Sequence, residues 1–270
     1  MNHQPGGVLA RLLPAVVLVF LALPAPAAES VAQAGASDLA SAKARQLFMM
    51  HRRAIKALET TVRSPSFKGY FTAADDAQRE AHLAKIEQST LKVQRYFEIE
   101  EMCLIDRSGR ELLRLVKGEP EEHLSSDEAD NVFFEPAFAL SEGDVLVSPV
   151  YRSLDTDRWV LAYVTPIAVE GSNVALLHYE HDLIALAGQL AEGLDTKNQV
   201  LMAVDEEGRF LFDSRDPEVI SLSDDAVLPR ERNGMVVSDL LARIDAGKPV
   251  DGYIGAYKKV RSWTVVALQR

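Results

Sequence analysis

The chain is 270 residues long, 47% hydrophobic and 26% charged, which is enough apolar material for one elongated domain or two small ones and too much for a disordered tail. A formal net charge of −11 with no basic cluster argues against nucleic acid and anionic lipid headgroups as partners. Cys103 is the only cysteine, so an intramolecular disulfide is excluded in any compartment.

The first 28 residues place Arg11 before the apolar run Leu12–Leu23 and the small-residue stretch Pro24-Ala25-Pro26-Ala27-Ala28. That order predicts an export signal cleaved after Ala27 or Ala28 and a periplasmic protein; a retained inner-membrane anchor is the alternative. The run is short for a span of ~20 residues, and Pro14 interrupts it. Residues 29–37, small and polar, read as a flexible lead-in. From Asp38 to about Arg63 the stripe Leu47, Met50, Ile55, Leu58, Val62 predicts a helix that Ser64-Pro65 ends. After a loop at 65–74, Leu83, Ile86, Thr90, Val93 and Phe97 predict a second amphipathic helix over 75–97. The two make a helical spine over 38–97, with no chemistry assigned to their stripes.

An internal match follows. Residues 103–113, Cys-Leu-Ile-Asp-Arg-Ser-Gly-Arg-Glu-Leu-Leu, align without a gap with 202–212, Met-Ala-Val-Asp-Glu-Glu-Gly-Arg-Phe-Leu-Phe. Both read as a hairpin whose Asp bonds back to the turn and whose Gly takes the left-handed position. Two copies predict a module that occurs twice. Cys103 itself reads as a small buried strand residue. In the first module a helix over Asp127–Leu140 leads into an antiparallel meander of runs 145–151, 159–167 and 174–181, punctuated by Asp155-Thr156-Asp157 and Glu170-Gly171-Ser172-Asn173. Alternation puts Trp159, Leu161, Tyr163 and Thr165 on one face of the middle strand and Val160, Ala162 and Val164 on the other. A connecting helix over about 182–194 follows. The second module continues with a helix over about 235–246 and the closing strand runs VDGYIGAYKKV and RSWTVVALQR. The expected class is α+β: a long N-terminal helix plus two PAS-like lobes, each an antiparallel sheet with flanking helices, at 98–195 and 196–270.

The export segment with its long helix, LIDRSGREL, the meander VSPVYRS…WVLAYVTPI…ALLHYEHDL, and AVDEEGRFLFDS with the closing SWTVVALQ together resemble the double Cache (tandem PAS-like, PDC) sensor domain of bacterial chemoreceptors, histidine kinases and cyclase receptors. The resemblance covers about 38–270. It implies signal transduction, with a membrane-distal lobe at 98–195 that binds a small ligand and a membrane-proximal lobe at 196–270 that relays to the membrane. Members of the family continue into a second membrane helix and an output domain, whereas this sequence stops at Arg270. The expected partner is therefore a membrane-bound receptor, kinase or cyclase lacking its own sensor, and the N-terminal helix offers a surface for homodimerisation. Amino-acid-binding members resemble one another in an Arg-x-Trp-Tyr stretch that here reads Asn131-Val132-Phe133-Phe134, so the guanidinium that clamps a ligand carboxylate is missing. Their later acidic residue falls at Glu180. A small polar or cationic organic ligand is implied in place of an α-amino acid.

Pocket residues are expected on the ringed face of the meander and on the helix covering it: Phe133 and Phe134 from the helix, and Tyr151, Trp159, Tyr163, His178 and Glu180 from the sheet. Plain core packing is the competing reading for each ring. Arg158, beside Asp155 and Asp157, reads as an exposed turn ion pair. His178 and Glu180 share a strand face while His181 points away, so no metal is assigned to the His-Tyr-Glu-His run. A partly buried His178 would make binding vary with pH near its titration range. No cofactor motif, nucleophile elbow, zinc-protease signature or phosphate loop is present, so no enzyme is expected. The readings carried forward are a sensor, a scaffold whose pocket has closed, and, third, an exported hydrolase.

Overall fold

The computed structural model of the chain describes residues 25–97, 100–153, 156–217 and 227–270. The export segment lies outside these except for its last four residues, as do Asp155 and the side chain of Phe97. Three helices come first, α1 (Ala25–Thr61), α2 (Pro65–Thr72) and α3 (Asp76–Phe97). At 1.5 Å per residue α1 is about 55 Å long. Its buried positions are Ala36, Ala40, Ala44, Leu47, His51, Ala54, Leu58 and Thr61, spaced by three and four as one helix face requires. Residues 29–37 are therefore helix and no loose lead-in: three alanines let the backbone approach the second sheet closely, and a Cβ at Gly35 would meet the Gln269 side chain at 3.3 Å. Of the loop expected at 65–74, residues 65–72 are helical, because Ser64 caps the Ser66 amide and Pro65 occupies the first turn.

The first sheet follows in β1 (Glu101–Asp106), β2 (Glu111–Val116), β3 (Glu119–Pro120), β4 (Leu146–Val147), β5 (Tyr151–Arg152), β6 (Trp159–Val169) and β7 (Ser172–Asp182). Its order is β3-β2-β1-β7-β6-β4, with β5 also paired to β6. The predicted first strand of the meander is broken into β4 and β5 at Pro149, which has no amide to donate. β6 and β7 form one long hairpin whose turn residues Glu170 and Gly171 have φ of 51° and 81°, as a two-residue type I′ turn needs. Between β3 and β4, where one helix was expected over 127–140, a 3-10 turn (Glu128–Asp130) and a short α4 (Phe134–Phe138) are separated by Asn131, whose backbone is extended. This segment caps one face of the sheet.

After α5 (Leu183–Ala191), capped by the Asp182 carboxylate on the Ala185 amide, the second sheet is built from β8 (Gln199–Asp205) and β9 (Phe210–Asp213). The small hairpin β10 (Glu231–Arg232) and β11 (Met235–Val236) leads to α6 (Val237–Asp245), and β12 (Ile254–Val260) and β13 (Trp263–Gln269) close the sheet in the order β12-β13-β8-β9. Strand for strand, β9-β8-β13-β12 repeats β2-β1-β7-β6.

The duplication extends to atoms. Asp106 Oδ1 accepts from the amides of Ser108 (2.8 Å) and Arg110 (3.2 Å), and Asp205 Oδ1 accepts from those of Glu207 (3.0 Å) and Arg209 (2.8 Å). Gly109 and Gly208 sit at φ of 85° and 75°. The same β-bulge recurs, between Leu104 and Ile105 in one copy and between Ala203 and Val204 in the other. Each sheet turns one face to a continuous core shared with α1, containing Leu104, Leu161, Tyr163, Leu177 and Tyr179 from the first and Leu201, Ala203, Trp263, Val265 and Ala267 from the second. Each covers its other face with its own helical segment, α6 on the second sheet and the 128–138 cap on the first.

Candidate functional site

Register decides which side chains share a face. Val160, Ala162 and Val164 face the cap with Cys103, Ile105 and Leu176, while Trp159, Leu161 and Tyr163 face the helical spine. The seven expected pocket residues therefore do not converge. Tyr151 pairs with Val160 and joins the cap face, as do His178 and Glu180, which pair with Val164 and Ala162. Trp159 and Tyr163 turn the other way: the Tyr163 hydroxyl lies 2.8 Å from His51 Nδ1 on α1, and its ring meets His181 edge-on. The face that looked small and greasy in β6 is the one that holds the polar groups, because the cap and the neighbouring strands supply them.

Beneath the cap, the Phe133 ring stacks on His178 with centroids 4.3 Å apart and tilts against Tyr151 at 5.8 Å. Phe134 is also buried but packs against Phe138. The Tyr151 hydroxyl donates to Glu180 Oε1 and lies 3.2 Å from His178 Nε2. With that single proton on Glu180, the Nε2–H of His178 donates to the Tyr151 oxygen, and Nδ1 is left as a lone pair. Neither His178 Nδ1 nor Glu180 Oε2 has a hydrogen-bond partner, and the two residues are 1% and 3% exposed. Burial pushes the Glu180 carboxyl up to about 8, with the Glu101 charge adding to it. Burial likewise pushes His178 down to about 3, so it is neutral near pH 7 and gives no response in the ordinary imidazole range. The pH-dependent binding expected of a partly buried His178 is corrected accordingly.

Three further carboxylates, Glu101, Glu111 and Glu128, are 1%, 1% and 3% exposed on the same side. Glu101 lies opposite Glu180 and Cys103 opposite His178 in the β1–β7 register. Glu111 reaches this face through the bulge: Leu104 pairs with Leu113 but Ile105 with Glu111, so Leu112 is skipped and the next side chain is re-aimed. Arg114, 11% exposed, binds Glu101 with Nε at 3.1 Å and Nη2 at 3.2 Å. The Ser125 amide donates to Glu111 (2.6 Å) and the Asn131 amide group to Glu128 (2.9 Å). Four buried carboxylates beside that guanidinium, with acceptor atoms turned inward, make a box suited to a cation or a hydrogen-bond donor. Burial and the Glu101 charge push the Cys103 thiol up, so it is protonated there.

The second module is an internal control. At the positions of Glu101, Cys103 and Glu111 it carries Val200, Met202 and Phe210, and the register places Val266 and Leu268 where the first sheet has His178 and Glu180. All five belong to an ordinary apolar core under α6. The polar set is thus a specialisation of the first lobe and no requirement of the module. Sequence reasoning missed Glu101, Glu111, Arg114 and Glu128, although the aligned pairs Cys103/Met202 and Glu111/Phe210 carried a signal. Arg158 binds Asp182 (3.2 Å), and Asp157 is held by Arg152 (2.6 Å), which corrects the turn pair expected between 157 and 158. A groove of about 580 Å³ also runs along the second sheet, but exposed Glu206, Glu207, Lys259 and Arg261 line it and leave it open to solvent.

This architecture matches solved sensor domains over nearly its whole length. The ligand-binding domain of the Campylobacter jejuni chemoreceptor Tlp3 in complex with L-norvaline superposes with a TM-score of 0.68 at 12% identity, covering 90% of this chain and 92% of that one. The extracellular domain of the histidine kinase vpHK1S-Z8 gives 0.71 at 16%, covering 91% and 97%. A domain of a sensory box/GGDEF family protein from Vibrio parahaemolyticus gives 0.69 at 15%, covering 89% and 96%. The chain has the double Cache fold. No family model and no curated protein matches it. At these identities the likeness is one of fold. Among the described residues no helix is long and apolar enough to cross a membrane.

Proposed function

We propose that the protein is an extracytoplasmic sensor module of the double Cache type, taking a small organic cation in its membrane-distal lobe at 98–195 and reporting it to a membrane-bound receptor, kinase or cyclase. The membrane-proximal lobe at 196–270 would relay the signal. The observation that carries this reading is the buried, carboxylate-rich box beneath the cap, with His178 Nδ1 and Glu180 Oε2 unpartnered, set in a fold otherwise found in sensory domains. In this reading Glu180 gives up its proton to solvent as the ammonium group enters, it and His178 accept from that group, Phe133 and Tyr151 enclose its apolar part, and Phe134 supports the cap. Trp159 and Tyr163 pack the spine and leave the ligand set. A ligand shifts the module only by its differential affinity for two states, so the partner must contact the state the ligand prefers. Homodimerisation through α1 and cleavage of the export segment, with its retention as an anchor the alternative, belong to the same proposal.

The test is a thermal-shift screen of the exported protein against amines, amino acids, purines and carboxylates. Midpoints should rise with amines and not with simple carboxylates, and Glu180→Gln, which keeps the volume and removes the ionisable carboxyl, should abolish the rise. A screen flat across all classes would leave a scaffold as the better reading. Turnover that vanished on changing His178 or Glu180 would instead establish an enzyme.

A further inference from the structure

The end of the box nearest β2 holds a different chemistry from the Tyr151–Glu180 end. One oxygen each from Glu101 and Glu111 and the Cys103 sulfur lie within 4.8 Å of one another, all three residues buried. Cys103 Sγ is 3.1 Å from Glu101 Oε1. We propose that Glu101, Cys103 and Glu111 form a site for a borderline divalent ion of the zinc class, with the organic-cation subsite next to it.

Three observations converge on this assignment. The donors are mixed: a thiolate selects against magnesium and calcium, and two carboxylates select against a purely soft ion, which leaves zinc and its neighbours. The outer shell is in place, since Arg114 holds Glu101 and the Ser125 amide holds Glu111, as ligating carboxylates are commonly held. Across the strand pair, His178 is the register partner of Cys103 and Glu180 that of Glu101, and His178 Nδ1 and Glu180 Oε2 are buried without a hydrogen-bond partner. A three-ligand ion has a fourth position to fill, and these two groups stand on the same face of the sheet, on the next strand.

The duplication supplies the remaining argument. The second lobe builds the same strands with the same bulge, and fills the three positions with Val200, Met202 and Phe210 against α6. Folding the module does not call for carboxylates or a thiol there. The bulge that turns Phe210 into the second core turns Glu111 towards Cys103 in the first. Binding forms a metal–sulfur bond as the Cys103 proton leaves for solvent, and the ion offsets the excess of negative charge that the carboxylates place under the cap.

This site rests on the box and not on the sensing reading, so a flat screen of organic ligands would leave it standing. The experiment is a cobalt(II) titration of the full protein after chelator treatment, repeated on protein refolded with cobalt present so that slow entry past the cap cannot hide the site. A thiolate-to-cobalt charge-transfer band in the near ultraviolet should saturate at one equivalent and disappear when zinc is added. Cys103→Ser should lose the band, and Glu111→Gln should weaken binding by on the order of 10-fold or more with far-ultraviolet circular dichroism unchanged. Absence of the band in both wild-type preparations, or a band that survives in Cys103→Ser, would overturn the proposal. Should Cys103→Ser fail to fold, the band in wild type and its weakening in Glu111→Gln decide the matter.

Discussion

His51 is where the spine and both sheets meet. It is 1% exposed on α1, its Nδ1 pairs with the Tyr163 hydroxyl of the first sheet, and its ring lies edge-on to Trp263 of the second at 6.1 Å. Burial lowers its pKa to about 4, with the charge of Arg261 adding to the effect. The unfolded chain, titrating near ~6.5, therefore takes up the proton first. The stability that a neutral His51 contributes is complete above the unfolded value and is lost as pH falls through the window towards 4, at about 2 kcal/mol between pH 7 and pH 5. Unfolding free energies of wild type and His51→Gln, measured by urea denaturation at both pH values, should approach each other by about that amount on acidification. Glu180 slopes the other way, but it is common to both proteins and cancels in the difference. A gap that does not change with pH would mean that His51 is not held neutral.

At the scale of elements, the two Asp-x-x-Gly-Arg hairpins share one geometry and differ in what surrounds them. A Cβ on Gly208 would have nothing within 4 Å, whereas one on Gly109 would lie 2.6 Å from the Ala129 backbone nitrogen. The first turn presses on the cap, and the Gly109 carbonyl accepts from the Glu128 amide at 2.9 Å. Gly208→Ala should cost only the left-handed strain of about 1–2 kcal/mol. Gly109→Ala carries the same strain and must also push the cap away, so equilibrium unfolding should show the larger loss there, and any ligand shift should fall with it. Equal losses would show that the cap is not seated on the turn. The alignment of 103–113 with 202–212 made both hairpins legible, with their Asp bonds and glycine conformations. The helix expected over 127–140 was not legible as two pieces, because the break at Asn131 lies in a stretch whose composition suits a helix while its backbone is drawn out over the sheet.

At the scale of the molecule, α1 joins the two sheets into one core, so the lobes should unfold together although each has its own hairpins and covering helix. The chain's two tryptophans, Trp159 in the first sheet and Trp263 in the second, report on one lobe each. Fluorescence of Trp159→Phe and Trp263→Phe in urea should show each remaining tryptophan shifting at the same midpoint as far-ultraviolet circular dichroism of the same protein. A tryptophan transition displaced from the dichroism transition in either protein would show that the spine does not couple the lobes.

What the residues in order determined by themselves was local and periodic: helices from stripes at steps of three and four, strands from alternation, and the duplication from a gapless match. These are properties of neighbours along the chain, and they led to two PAS-like sheets on a helical spine. What only the tertiary structure decided was which strands lie side by side and which face each side chain meets. Trp159 and Tyr163 were expected beside Tyr151, but β5 enters the sheet in a register that sends Tyr151 the opposite way, with Val160. Glu101, Glu111 and Arg114 come to the box through pairing and a bulge, and pairing joins positions far apart in sequence through hydrogen bonds that every residue can make, so composition alone does not specify it.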